Sequence, residues 1–482
     1  VTMTPEQAPA TMPIAVAMQR PAWRDTFSAL KVHNYRLYVI AQFISNTAGW
    51  AQRIAVDWLV LEITGSVTLV GLTIALQFLP TLILGAYAGV IADRYKKRSV
   101  LILCQLIIAA LNLVLAIIAL SGNANLFAVY ALVLAVGTLQ VFDGPARSVF
   151  VNEMVGPRHI RNAISVNASI FHLGALIGPA LSGVLIVAVG SGWAIGANVV
   201  AGLIGVVLLL FMRTADLLVG PRAPTHKGQI REAGRYILSK PTLFWTLVMV
   251  TFVAIFGMPM PALLAGMADH VYLTGATGYG LYNSLAAIGA LLGALASARR
   301  ATLRLRTIMI GAIIYGLMLV TAGLAPFYPM FLLVLPMIGL SRLLYMTASE
   351  TMMQLSSNLA IRGRVMAFWV MVVVGGQAIG GPVMGWFAEN LGAKTAMVIS
   401  GAVPAAAAIV IAILLSRSGR LRVAVSAKRG KWVAIVPKRR AQVRPAQSRP
   451  AQARSAQSPP TQSRPTQSWP TQAPPADGHP TT

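Results

Sequence analysis

Charge is scarce in this chain. Only 11% of its 482 residues are Asp, Glu, Lys or Arg, and just 13 are acidic. Average globular proteins carry roughly 25% charged residues, so there is too little charge here to coat the two or three soluble domains that such a length would otherwise suggest. Cysteine is nearly missing as well. With Cys104 alone in an apolar run, the chain can build neither an internal disulfide framework nor a cysteine metal site, and the thiol suits helix packing. The Gly-x-x-x-x-Gly-Lys-Ser/Thr loop of ATP-driven pumps does not occur. Nor does a loop hold a metal-ligand cluster or a nucleophile–base set, so the expectation is a non-enzyme with no metal and no cofactor.

What remains is apolar. Hydrophobic residues make up 56% of the chain, gathered in runs that reach the ~20 residues needed to cross a bilayer core. Residues 68–92 contain no Asp, Glu, Lys or Arg, and neither do 162–212, where His172 is the one titratable side chain of that kind. Polar and glycine breaks divide the runs into twelve expected spans: 37–61, 68–92, 98–120, 125–147, 164–188, 193–212, 243–267, 278–298, 306–325, 328–352, 365–388 and 394–416. The fold class expected is therefore an all-α membrane protein with lipid as its surroundings.

Alternate connections differ sharply in charge. One set holds Arg94, Lys96, Lys97 and Arg98, then Arg158 and Arg161, the 213–240 segment, 299–306, and Arg362 with Arg364; the other holds only Lys394. Lys and Arg near span ends resist translocation, which places both termini in the cytoplasm. The net charge of +26 is then explained without nucleic acid: a tail from 417 to 482 contributes +12, and the rest lies largely in these connections.

The longest connection splits the spans six and six. Thr64-Gly65-Ser66 precedes the second span and Thr274-Gly275-Ala276 the eighth; Gly178-Pro179 lies in the fifth and Gly381-Pro382 in the eleventh. This spacing predicts two parallel six-helix repeats, as in secondary transporters. The organisation expected is an N-terminal arm (1–33) without a cleavable signal, a first half (34–212), a cytoplasmic linker (213–242), a second half (243–416) and a basic Pro/Gln-rich disordered tail (417–482).

Three motifs carry a resemblance. Gly89-Val90-Ile91-Ala92-Asp93-Arg94-Tyr95-Lys96-Lys97-Arg98 resembles the loop signature of the major facilitator superfamily, with Lys96 where a second Gly is common and Lys97 for an Arg. Gly174 to Gly183, with Gly178, Pro179 and Ser182, resembles the fifth-span signature of its drug:proton antiporters. The run from Trp50 to Glu62 is similar to the branch that contains the bacterial enterobactin exporter and related drug exporters. The resemblance covers about residues 34 to 416 and implies a major facilitator fold, alternating access around a central cavity, and a monomeric transport unit. The second copy of the loop is eroded, with Ser297 where the first has Asp93.

The resemblance also implies a gate in which Asp93, with Gly89, Arg94, Lys97, Arg98 and Arg147, bridges the halves on the cytoplasmic side, and a close-packed fifth span at Gly174, Gly178, Pro179 and Gly183. Charges inside spans are costly and functional by default. Asp57 and Arg53 are four residues apart on one helix face, so an ion pair between them is expected, either a permanent structural pair or, where motion separates the two, a switch that makes them proton-coupling candidates. Asp143 and Arg147 repeat that spacing. Arg342 stands near mid-span and needs a partner or an anionic substrate; Glu350, two turns along, is a second proton candidate.

The function expected is proton-coupled efflux of an amphipathic small molecule, a drug or siderophore-like metabolite, across the bacterial cell membrane. Two alternatives stay open: a proton-linked importer of a polar solute, and a non-transporting sensor or scaffold on the same fold.

Overall fold

The computed structural model describes residues 28–218, 229–297, 305–358 and 361–417, with Leu421–Val425 and Val433–Pro437; residues 86–94, 157–158, 161, 229–230 and those past 415 are described by backbone alone. The first half contains α1 (His33–Thr64), α2 (Val67–Arg94), α3 (Lys97–Leu120), α4 (Leu126–Val189) and α5 (Ser191–Leu210). The second contains α7 (Pro241–Phe252), α8 (Met260–Gly266), α9 (Gly275–Ser297), α10 (Leu305–Gly323), α11 (Tyr328–Leu355), α12 (Arg362–Leu391) and α13 (Ala393–Arg417), with α6 (Gln229–Ser239) between the halves.

Eleven helical stretches among the described residues are long and apolar enough to cross a membrane. The twelfth expected span, α1, is not among them, although its 32 residues are ample. Its apolar run is diluted by the charges Arg53, Asp57 and Glu62 and by the amides Gln42, Asn46 and Gln52, and the midmost acid, Asp57, is turned inward, 3% exposed. Large apolar side chains face outward instead: Leu103, Ile117, Phe127, Val184, Val187 and Leu333 are all more than half exposed. A soluble monomer rarely shows apolar patches of such extent. This is a multi-pass membrane protein.

The fourth and fifth expected spans are two helical stretches, Leu126–Gly156 and Asn162–Val189, joined at a kink. α4 runs from 126 to 189 through Gly156, whose φ of 63° and ψ of 179° only glycine tolerates, so the chain turns there without leaving a loop. The seventh span is interrupted in the opposite way. Between α7 and α8 the turn Val253–Gly257 widens to i→i+5 bonding, Met258 N–H reaching the Val253 carbonyl at 3.0 Å, and Pro259 leaves the helical region with ψ 33°. The freed carbonyls find partners: the Tyr315 hydroxyl donates to Gly257 at 2.6 Å and the Ser400 hydroxyl to Phe256 at 2.7 Å. That is how a broken helix persists at membrane depth.

The repeat is visible in the backbone. Gly65 caps α1 at φ 63°, and Gly275 opens α9 at φ 60°, the two positions paired from sequence. Three peripheral segments carry structure among their described residues. The arm's last residues, Ser28–Lys31, form a tight turn with Ala29 fully buried and its N–H on the Asn162 side chain at 3.0 Å. The linker contains α6, whose Ala233 and Ile237 bury against Leu243, Met353 and Val365, while Arg364 bonds Glu232 at 2.6 Å. The tail, expected to be disordered, pairs Leu421–Val425 with Val433–Pro437, because both segments are rich in β-branched residues; residues 1–27 and 438–482 lie outside those described.

The halves meet along two seams, both toward the face that carries the α1–α2 connection. In one, the second arm of α4 lies on α9: a Cβ on Gly183 would sit 3.1 Å from the Gly280 Cα, and one on Gly280 would sit 2.7 Å from the Pro179 carbonyl oxygen. In the other, α2 lies on α12: the backbones of Gly71 and Gly381 leave no room for a Cβ on either, and one on Gly385 would meet the Val67 carbonyl at 2.6 Å. Each seam therefore uses one of the two Gly-Pro motifs.

Candidate functional site

A central cavity opens between the halves. α1 supplies Trp50, Arg53 and Asp57; α2 supplies Gln77 and Phe78; α4 adds Phe171, His172 and Pro179. From the other half come Met258 and Met260 at the broken span, Asn283, Arg342 and Gln377. Met267 and Met353 are instead fully buried in packing.

Asp57 sits where this cavity reaches a seam. Its two oxygens accept from Gln77 Nε2 and from the Tyr279 hydroxyl, each at 3.3 Å. Tyr279 is buried, belongs to α9, and stacks on Trp58 with centroids 5.9 Å apart. The carboxylate of one half is thus held by a hydroxyl of the other.

The expected Arg53–Asp57 ion pair is not made. Arg53 turns to Gln140, donating at 3.0 Å, and lies over the rings of Trp50 and Phe78 at 5.2 and 5.6 Å. An aromatic face and a neutral amide satisfy the guanidinium, leaving Asp57 to bridge the halves. Arg342 lines the same cavity from mid-α11. An unpaired arginine at a helix centre costs about 2.5–3.5 kcal/mol on insertion scales. Glu350, by contrast, takes a 3.1 Å bond from Gln354 and stands outside the cavity lining, so the structure does not bring it to the site.

A second, more polar chamber adjoins the first through Trp50, Arg53 and Phe171. It lies within the first half and is lined by Gln42, Asn46, Gln52, Gln105, Asn112, Gln140 and Asn198. Gln52 donates to Asn112 at 3.3 Å, and Asn112 to Asn198 at 3.1 Å. Arg147 pairs with Asp143 and with Gln42 on its wall. The sequence reading tracked charges and missed these amides, yet a carboxamide inside an apolar span was itself the signal, since lipid offers it no partner.

Of the loop motif, the side chains of Gly89, Asp93 and Arg94 lie outside those described. Lys97 faces Glu153 of α4 at 3.5 Å, and Arg98 donates to the last carbonyls of α5, Leu209 and Leu210, at 2.8 and 2.9 Å. Both contacts stay inside the first half. The fifth-span motif works twice. A Cβ on Gly174 would strike the Asn46 side chain and one on Gly178 would lie 2.6 Å from Trp50 Cβ, fixing α4 on α1; Pro179 and Gly183 form the seam to α9.

One further clamp escaped the sequence reading. Glu389, at the end of α12, accepts from the Ser66 hydroxyl at 2.6 Å and from the Thr68 N–H at 3.0 Å, at the start of α2.

With this geometry in view, the comparisons with known proteins agree. The profile of the transmembrane secretion effectors matches residues 24–434. The chain belongs to that family, within the major facilitator superfamily. It is 28% identical over 405 residues to the enterobactin exporter EntS of Shigella flexneri, covering 83% of this chain and 95% of the exporter. It is 26% identical over 401 residues to EntS of Citrobacter koseri, with the same coverage. Among solved structures, a bacterial homologue of the iron transporter ferroportin in an inward-facing state superposes with a TM-score of 0.63 at 15% identity, over 80% of this chain and 99% of that one. A POT family transporter in complex with 5-aminolevulinic acid gives 0.64 at 14%, over 80% and 96%. These structural likenesses establish the fold. The chain is a transporter of that family.

Proposed function

We propose that this protein exports amphipathic small molecules from the bacterial cytoplasm in exchange for protons, with both termini in the cytoplasm and one chain as the transport unit. The observation that carries the reading is the Asp57–Tyr279 bond, a buried carboxylate bridging the two halves on the wall of the cavity. An ionised carboxylate accepts from both Gln77 and Tyr279; once protonated it loses the charge that strengthens those bonds. Closure at the seam therefore favours the ionised acid, and opening leaves it free to take a proton. Coupling is a difference in proton affinity between the two states.

On this reading the α1–α2 face is periplasmic and closed here, with the cavity awaiting substrate from the cytoplasm. Asp93 and its neighbours are assigned the opposite clamp, made when the cytoplasmic side closes. Export is favoured over import by the glycine seams and by a cavity whose charges are not paired with one another, whereas an importer of polar solutes calls for paired charges. The similarity to enterobactin exporters supports outward movement of a small molecule.

Proteoliposomes test this directly. A pH gradient should drive accumulation of a transported dye by the wild type, and Asp57→Asn should lower gradient-driven accumulation at least tenfold while leaving gradient-free counterflow in place. Gradient-driven transport at wild-type rate in Asp57→Asn removes Asp57 from the proton path.

A further inference from the structure

Arg342 is the least explained charge in the molecule. It projects from the middle of α11 into the central cavity, and among the described residues it makes no hydrogen bond or ion pair. A guanidinium keeps its proton throughout, so Arg342 cannot be the group that loads and releases the coupling proton. What it can do is attract an acceptor.

Neutral amides of Asn283 and Gln377 share the lining, but no unengaged carboxylate among the described residues does. Arg53 is a second guanidinium, held by Gln140 and by two aromatic rings, none of them charged. Asp57 is the one carboxylate in the lining, and its oxygens already receive Gln77 and Tyr279. With His172 neutral the described lining carries one net positive charge, beside the rings of Trp50, Phe78 and Phe171. A neutral ligand would leave that charge uncompensated, and a cation would add to it.

We infer that the central cavity binds an amphiphilic organic anion, its acidic group on Arg342 and its flat apolar body among the aromatic side chains. The inference rests on reading this cavity as the transport site, and it names the sign of the substrate. Protonating Asp57 removes the cavity's negative charge and so favours an anion. By linkage the proton and the anion then favour each other's binding inside the cavity, which opposes their exchange, so exchange rests wholly on the Asp57–Tyr279 contact, made in one state and broken in the other. Outward movement of an anion also follows the membrane potential of a cell that is negative inside.

Two xanthene dyes of opposite charge isolate the sign. Fluorescein and rhodamine 6G are titrated, by fluorescence polarisation, against the purified full-length protein in phosphatidylcholine nanodiscs. The wild type should bind fluorescein at least tenfold more tightly than rhodamine 6G. Arg342→Gln should lose at least tenfold in fluorescein affinity without weakening rhodamine 6G, and Arg342→Lys should retain most of it; the basic tail is common to all three and cancels. Equal affinity for the two dyes in the wild type, or fluorescein affinity unchanged in Arg342→Gln, overturns the inference. If Arg342→Gln does not give a monodisperse protein, Arg342→Met takes its place, because the basic tail cancels between variants but not in the wild-type ratio of the two dyes. Arg342-dependent binding of fluorescein with no gradient-driven flux in proteoliposomes supports the anion site and counts against the transport reading, so the two fail separately.

Discussion

The two halves share a topology and differ in what fills them. The first half is hollow and amide-lined: Gln52, Gln105 and Asn112 are buried, and their polar ends face one another across a chamber. The second half is packed with rings. Tyr279, Tyr282, Tyr315, Tyr345 and Phe331 are all fully buried there, and its hydroxyls mostly turn to backbone: Tyr315 to Gly257, Ser400 to Phe256, Thr246 to Thr242. Amides in the first half line a chamber where a ligand could reach them, whereas in the second Tyr315 and Ser400 are engaged in holding the broken helix together. The difference teaches a division of labour. One half offers an adaptable wall, and the other a rigid abutment that contributes Arg342 and Tyr279.

That division requires the halves to move as bodies about their seams, and the largest effect should come from preventing a seam from closing. Gly280→Leu places a side chain against the Pro179 carbonyl and the Gly183 Cα, which are backbone and cannot swing aside. Overpacking costs about 1–3 kcal/mol or more, and each 1.4 kcal/mol is tenfold, so transport should fall roughly ten- to a hundredfold. Gly85 is the control. A Cβ there meets only the Thr81 methyl at 3.7 Å, and Gly85→Ala should transport at the wild-type rate. Full activity in Gly280→Leu would mean that the seam seen here is not part of the cycle.

A paired experiment then sets the two interiors against each other. Tyr315→Phe leaves the Gly257 carbonyl buried without its donor, a loss of about 1–3 kcal/mol, and should lower the thermal unfolding midpoint by several degrees while sparing ligand affinity. Asn112→Leu removes bonds that in membrane interiors average about 0.6 kcal/mol each. Its unfolding midpoint should barely move, but its transport rate should drop a few-fold as the chamber loses its amide wall. The reverse pattern, with stability lost at Asn112 and transport lost at Tyr315, would dissolve the distinction between the halves.

How much of this was legible beforehand depended on the range of the interaction. Spans came from local composition, and close packing of the fifth span came from its Gly178-Pro179 motif; Gly381-Pro382 marked only the repeat, and that both motifs lie at seams between the halves emerged from the structure. Asp57 was legible as a buried acid, but its partner was not: Tyr279 is 222 positions away, and the local rule of four-residue spacing pointed to Arg53 instead. That rule yielded to tertiary packing, which offered Arg53 two rings and an amide. The broken seventh span did leave a mark, in Pro259 and Pro261 flanking Met260, since proline cannot donate to a helix. The helix α6 was hidden because its amphipathic face is short and its mean composition polar, so only the pocket formed by Leu243, Met353 and Val365 shows that Ala233 and Ile237 have somewhere to go.

The smallest expected effect lies where the halves exchange a single charge. Glu389 meets the first turn of α2, whose own cap, Ser66, already accepts from Leu69 N–H at 3.3 Å. Glu389→Gln keeps an acceptor oxygen for the Thr68 N–H but loses the attraction of a negative charge for a helix start, about 0.3–1 kcal/mol at an exposed site. The closed state should lose two- to fivefold in population, by the same tenfold-per-1.4 kcal/mol conversion. A cysteine at Ile74, on the cavity wall, in a Cys104→Ala background would report this as a two- to fivefold faster reaction with an impermeant maleimide added from the α1–α2 face. Unchanged labelling would assign the whole of that seam to backbone contact between Gly71 and Gly381. The polar clamp would then be a consequence of closure, and the rigid half would hold the adaptable one by shape alone.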